Sequence, residues 1–149
     1  MDLITGLFDM DFAALVPEMG AMLTTIRVVL SLLLLAGPLA MLVLGVLYLF
    51  MPAPEANYKF GFRTYFGMGS VEAWQFTQKI AGIAYSAVGL VLLVVMLIVT
   101  IGFVGKDTYQ IASAAMVSFV WQAVLALLAR LTVSLLATIY FTASGDRRR

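Results

Sequence analysis

Residues Asn57–Gly82 read NYKFGFRTYFGMGSVEAWQFTQKIAG. The stretch carries Lys59, Arg63, Glu72 and Lys79, and sets Gly61, Gly67 and Gly69 within nine positions. On either side the chain is apolar for a long way: Val28–Met51 and Ile80–Gly105 each run without a charge. A helix needs about 20 mainly apolar residues to cross a hydrocarbon core roughly 30 Å thick. Both flanks meet that length, so the quoted stretch reads as the connection between two membrane spans.

A third apolar segment runs from Tyr109 to Ala143, interrupted only by Arg130. As one helix it would be about 50 Å long, so it is expected to tilt, bend or project beyond the bilayer. Splitting it at Arg130 leaves only about a dozen apolar residues afterwards, too few for a fourth span. Composition agrees: 63% of the residues are apolar and 11% charged, against about 45–50% and 25% in a soluble domain. The fold class that follows is an all-α integral membrane protein of three transmembrane helices, with a short N-terminal interfacial helix.

That N-terminal piece, MDLITGLFDMDFAALVPEMG, begins with acidic rather than basic charges, unlike a secretory signal. Read as a helix it puts Ile4, Phe8, Phe12 and Leu15 on one side and Asp9 on the other, with Asp11 intruding on the apolar face. Pro17 and Gly20 are expected to separate it from the first span. The chain thus divides into an interfacial segment (1–20), one transmembrane helical domain (21–145) and a basic tail (146–149). Within the domain the expected spans are about 26–51, 75–105 and 109–143, with a loop at 52–74.

Orientation follows from Lys and Arg in short loops. Lys59, Arg63 and Lys79 lie at the first connection, and Arg147, Arg148 and Arg149 end the chain; the second connection holds only Lys106. Three spans put both basic regions on one side, so the loop and C-terminus are expected in the cytoplasm and the N-terminus outside a bacterial inner membrane.

Several function classes drop out. A net charge of +1 gives no argument for nucleic acid. Without cysteine or histidine, the thiolate and imidazole ligands of the usual metal, haem and iron–sulfur sites are missing, as is the commonest general base. The nine methionines sit mostly in apolar runs and read as packing residues. No nucleophile with an adjacent base is visible. Neither an enzyme nor a cofactor protein is expected.

The charged loop carries a specific spacing. Asn57, Gly61, Arg63 and Thr64 form N-x3-G-x-R-T; Ser70, Glu72 and Trp74 form S-x-E-x-W; Lys79 and Gly82 complete W-x4-K-x2-G. This pattern resembles the SdpI-type family of bacterial membrane proteins, over roughly residues 40 to 105. The resemblance implies a motif lying between two membrane helices on the cytoplasmic side. It also implies a role like that of the family's namesake, an immunity protein against a sporulation-delaying peptide toxin that also holds a transcriptional repressor at the membrane. The chain departs from the family at Tyr65, where proline is common after Arg-Thr, at Lys79, where an arginine or similar base is usual, and in having about half the namesake's spans.

The same residues have a physical reading of their own. Pro52 and Pro54 end the first span. Ser70 is a good N-cap for the second, and Glu72 complements its dipole. Trp74, Tyr58, Tyr65, Phe60, Phe62 and Phe66 suit the headgroup region. Arg63 is expected to tie to a carboxylate or to backbone carbonyls, with Glu72 the natural partner. On one reading Asn57, Arg63, Glu72 and Trp74 only fix the connection. On the other, Arg63 and Lys79 with an open glycine backbone dock a protein or a lipid phosphate.

Arg130 is the charge well inside a span, where such residues are costly and default to a functional hypothesis. Ala123, Ala126, Arg130, Ser134 and Ala137, with Gln122 beside them, form a small and polar stripe expected to face protein. Gln75, Lys79, Gly82, Ser86 and Gly89 form a matching stripe in span 2, and Ser31, Pro38 and Gly45 in span 1. These faces predict a close bundle in the lipid bilayer, open to self-association as a homo-oligomer. The leading expectation is an SdpI-like binding protein that sequesters a membrane-active peptide and docks a cytoplasmic regulator. The alternatives are an accessory subunit of a larger membrane complex and, more weakly, a small-solute carrier or channel working as an oligomer.

Overall fold

Proline and capping chemistry set where the helices stop and start. The computed structural model describes residues 12–56 and 59–148. Three long helices follow one another: α1 (Phe12–Phe50), α2 (Val71–Ile101) and α3 (Thr108–Tyr140), with a 3-10 turn at Phe66–Met68 between the first two. Gly20–Phe50, Val71–Ile101 and Thr108–Tyr140 are each long and apolar enough to cross a membrane. The protein is an all-helical, multi-pass membrane protein.

Helix α1 makes its last bond from Met51 N to Leu47 O (2.9 Å), and Pro52 then has no amide to continue it. Ser70 caps α2 from an extended conformation, its Oγ accepting from Ala73 N at 3.1 Å with Glu72 in the first turn. Asp107 does the same for α3, accepting from Gln110 N at 2.8 Å. These caps sharpen the expected boundaries. Helix α2 begins at Val71 rather than 75 and ends at Ile101, because Gly102–Gly105 form a turn. Helix α3 stops at Tyr140, short of 143, where Phe141 turns extended.

Two further expectations change. The first eleven residues lie outside the described part, and with them most of the interfacial helix expected over 1–20. Helix α1 is already formed at Phe12 and continues through Pro17 and Gly20. A proline there removes one amide donor, and the rest of the ladder carries on. Arg27, at the edge of the expected span, lies well within the candidate span Gly20–Phe50, with its Nε buried and without a hydrogen-bond partner. The C-terminus, expected as a basic tail, instead folds into a tight hairpin: Thr142 N donates to Asp146 O and Arg148 N to Tyr140 O, with Phe141 bridged to Arg147.

Helices α1 and α2 meet where side chains are smallest. A methyl group on Gly89 would fall 2.7 Å from Leu42 N of α1, and one on Gly82 3.0 Å from Leu49 N, so the two backbones nearly touch. Leu34, Met41, Leu92, Met96, Phe103, Ile111, Ala115 and Ala129 make the main core. Gln122 of α3 ties across to α1, donating from Nε2 to Leu34 O at 3.1 Å. The buried face of α3 runs through Ile111, Ala115, Ser118, Ala129, Val133 and Ala137. Of the stripe expected at Ala123, Ala126, Arg130, Ser134 and Ala137, Ala137 lies on that face and Ala126 and Ser134 are half-buried beside it, whereas Ala123 and Arg130 are exposed. Elsewhere large apolar side chains such as Leu32, Val91, Val120 and Leu135 point outward, as a lipid-facing surface requires.

Replacing Gly89 with Leu should therefore lower stability by about 1–3 kcal/mol through overpacking, read as a reduced unfolding temperature in detergent. Gly20→Ala, at a position with open space around it, should leave that temperature unchanged or slightly raised.

Candidate functional site

The segment from Pro52 to Ser70 does not lie flat at the end of the bundle. It folds back into the mouth between α1 and α2. Gln78, 1% exposed, grips it with both ends of its amide: Phe62 N donates to Gln78 Oε1 and Gln78 Nε2 donates to Phe62 O, each at 2.8 Å. The side chain thus acts like one rung of a β-ladder and satisfies backbone groups that would otherwise be buried unpaired. With its main chain held, Phe62 (5% exposed) inserts against Ala81 and Val133. Its ring stands edge-on to Tyr85 (centroids 5.6 Å apart) and to Tyr48 (6.2 Å).

Trp74 braces the other side. It is fully buried, and its Nε1 donates to Ala53 O at 2.8 Å, fixing the chain just after α1. Gly61 packs on the indole with φ +126°, a conformation and a contact that exclude a side chain. Thr64 Oγ1 accepts from Gly67 N at 2.9 Å and opens the 3-10 turn. The backbone of Gly61 and Gly67 is therefore consumed within the loop, while Gly69 stays exposed beside Gly145 of the hairpin. Phe62 and Trp74 are interior residues rather than headgroup-level rings, whereas Tyr65 is well exposed. Asn57 and Tyr58 lie outside the described residues.

The C-terminal hairpin closes the outer side of the loop. Ser70 Oγ, already the cap of α2, donates to Gly145 O at 2.8 Å. Phe141 is buried and stacks with Phe76 at 5.3 Å. Glu72 pairs with Arg147 at 3.7 Å, so the partner expected for Arg63 is taken by a residue from the far end of the chain. Lys79 is exposed and lines a groove of about 320 Å³ with Tyr48, Leu49, Pro52, Ala53, Pro54 and Gln75. Gly82 sits against Leu49 and belongs to the helix contact.

Arg63 faces elsewhere. It lines a cavity of about 430 Å³ with Leu44, Tyr48, Gly61, Phe62, Tyr85 and Arg130. The Arg130 guanidinium lies over the Phe62 ring, 5.8 Å from its centroid, within cation–π range. The structure therefore joins Arg63 with Arg130, which the sequence treats as unrelated, and separates Arg63 from Lys79, which the sequence groups together. Tyr48, Tyr85, Gln78 and Phe62 complete this arrangement. None stands out by spacing; the nearest signal was a buried-type amide, Gln78, one turn after Trp74.

Truncating Gln78 to Ala strands the Phe62 amide and carbonyl, for an expected loss of about 2–4 kcal/mol. Hydrogen exchange at Phe62 should accelerate in that variant, and an unchanged rate would contradict the clamp. At the hairpin the ranking should follow burial rather than charge. Glu72→Ala, which removes an ion pair whose partners are 63% and 65% exposed, should cost under about 1 kcal/mol. Phe141→Ala should cost about 3–5 kcal/mol, both measured by thermal unfolding in detergent.

Comparison with curated proteins and with solved structures finds no match to the chain. Comparison with protein families does: the SdpI/YfhL protein family matches residues 55–142. The match starts after α1, takes in the clamped loop, and extends past residue 105 through all of α3 to the first residues of the hairpin. It covers more than half of the chain and joins the loop to the helix that carries Arg130, so the protein belongs to the SdpI/YfhL family.

Proposed function

We propose that this family member is a binding protein of the immunity type, which sequesters a membrane-active peptide within the bilayer. The observation that carries this reading is an open cleft of about 830 Å³ at the end of the bundle opposite the clamped loop. It is lined by Ile98, Val99, Gly102 and Phe103 of α2 and its turn, by Lys106, and by Gln110, Ser113, Ala114, Val117 and Ser118 of α3. That size falls within the range of ligand sites, and a mostly apolar wall with a few polar groups is their usual composition.

The distribution of Lys and Arg favours the clamped loop and the hairpin in the cytoplasm and the N-terminus outside. In that orientation the cleft opens on the side from which a secreted peptide arrives. The peptide's apolar side chains enter between α2 and α3, and the Lys106, Gln110 and Ser113 side chains meet its polar groups. Occupancy, with no chemical step, keeps the peptide from assembling elsewhere in the membrane. The loop end would then be the surface available to a cytoplasmic regulator.

The test is a deletion strain challenged with membrane-active peptides made by itself and its neighbours. Increased sensitivity that wild-type protein restores, and that Ser113→Trp does not, is the expected result; unchanged sensitivity to every such peptide sinks the proposal. Stoichiometric co-purification of other membrane subunits from native membranes would favour an accessory-subunit role instead.

A further inference from the structure

At the opposite end of the bundle, the cavity shared by Arg63 and Arg130 has a composition of its own. Two guanidinium groups and two phenols, Tyr48 and Tyr85, line it, and among the described residues no carboxylate does. Its volume of about 430 Å³ equals roughly fourteen waters at about 30 Å³ each, ample for a tetrahedral oxyanion with its substituents. Guanidinium groups bind phosphate oxygens in pairs, and phenol hydroxyls add donors.

Depth points to the same ligand. Helix α3 has 33 residues and is about 50 Å long, some 20 Å more than a hydrocarbon core of roughly 30 Å. Arg130 lies ten residues before the end of α3 at Tyr140, about 15 Å along the axis. With the helix centred, its Cα sits about 5 Å inside the core boundary, a distance an arginine side chain can bridge to the headgroup phosphates. Apart from Glu72 in the first turn of α2, no acidic residue lies in any of the three spans. Compensation for a charge at that depth therefore has to come from outside the helices.

We infer that the Arg63–Arg130–Tyr48–Tyr85 cavity is a phosphate-binding site, filled by the phosphate of an anionic phospholipid or by free phosphate. Phe62 holds the two arginines in register, because the Gln78 clamp fixes its main chain and its ring lies under Arg130. The site stands apart from the peptide cleft, and neither reading rests on the other.

The experiment uses the full-length chain in nanodiscs of phosphatidylcholine alone, or of equal parts phosphatidylcholine and phosphatidylglycerol. Lipid retained on transfer to detergent is counted by native mass spectrometry. Arg63→Gln or Arg130→Gln should cut retained phosphatidylglycerol about tenfold, the effect of losing a charge-assisted bond. Tyr85→Phe, which keeps the packing, should cut it by a smaller factor, and Lys79→Gln should leave it unchanged. Equal retention in all variants, or an equal loss in Lys79→Gln, overturns the proposal. In a second arm inorganic phosphate is added to the phosphatidylcholine discs. A raised unfolding temperature that Arg130→Gln abolishes, without phosphatidylglycerol retention, assigns the same site to free phosphate. Stabilisation by an oligoglutamate peptide with no response to either phosphate source overturns it in favour of a protein ligand.

Discussion

A backbone that re-enters the end of a membrane bundle must find partners for its amides and carbonyls, since neither lipid nor packed apolar side chains supply them. In this protein Gln78 meets that constraint by bonding both main-chain groups of Phe62. Phe62 can then occupy the space between Tyr48, Tyr85 and Val133. Around that fixed point Gly61 must pack against Trp74, and Trp74 must reach Ala53, so the exit of α1 and the entry of α2 are set together. Remove the amide and the glycine, the indole and the aromatic cluster lose the geometry that makes each of them useful.

The parts of this fold that were legible in the sequence are those decided locally. Span length and composition identify three membrane helices. Pro52 stops α1, and Ser70 with Glu72 starts α2, through contacts within a few residues. What misled is non-local. Glu72 looked like the partner of Arg63, but Arg147 reaches it because of where the hairpin lands. The expected face of α3 holds at Ala137 and fails at Ala123 and Arg130 because lipid and protein interior are both apolar. Small residues such as Ala123 and Ala126 on one side, and Ala129 on the next, then carry little information about direction. Gln122 was the better guide, since its amide needed a partner and found one in Leu34 O.

The signature residues of the loop turn out to divide their labour. Gly61, Thr64, Ser70 and Trp74 hold the backbone in one shape, and Gly82 lets α1 come close. Arg63 is the member that this shape presents to a cavity, where it joins Arg130 from outside the motif. The family match, which spans both loop and α3, agrees with a unit defined by that pairing rather than by the loop alone. The two ends of the molecule differ accordingly: one is plugged by Phe62 and ringed by cations, the other is an open, largely apolar cleft.

The hairpin after α3 has a consequence for how the protein is made. Ser70 donates to Gly145, and the Phe76–Phe141 contact likewise needs residues that follow α3. Helices α1 and α2, with the Phe62–Gln78 clamp between them, can form while synthesis continues. The outer wall of the loop cannot close until α3 and the hairpin that follows it have been made. Closure at this end therefore waits for the third helix, and during that interval the first connection stays open to whatever insertion factor or quality-control protease patrols that face of the membrane.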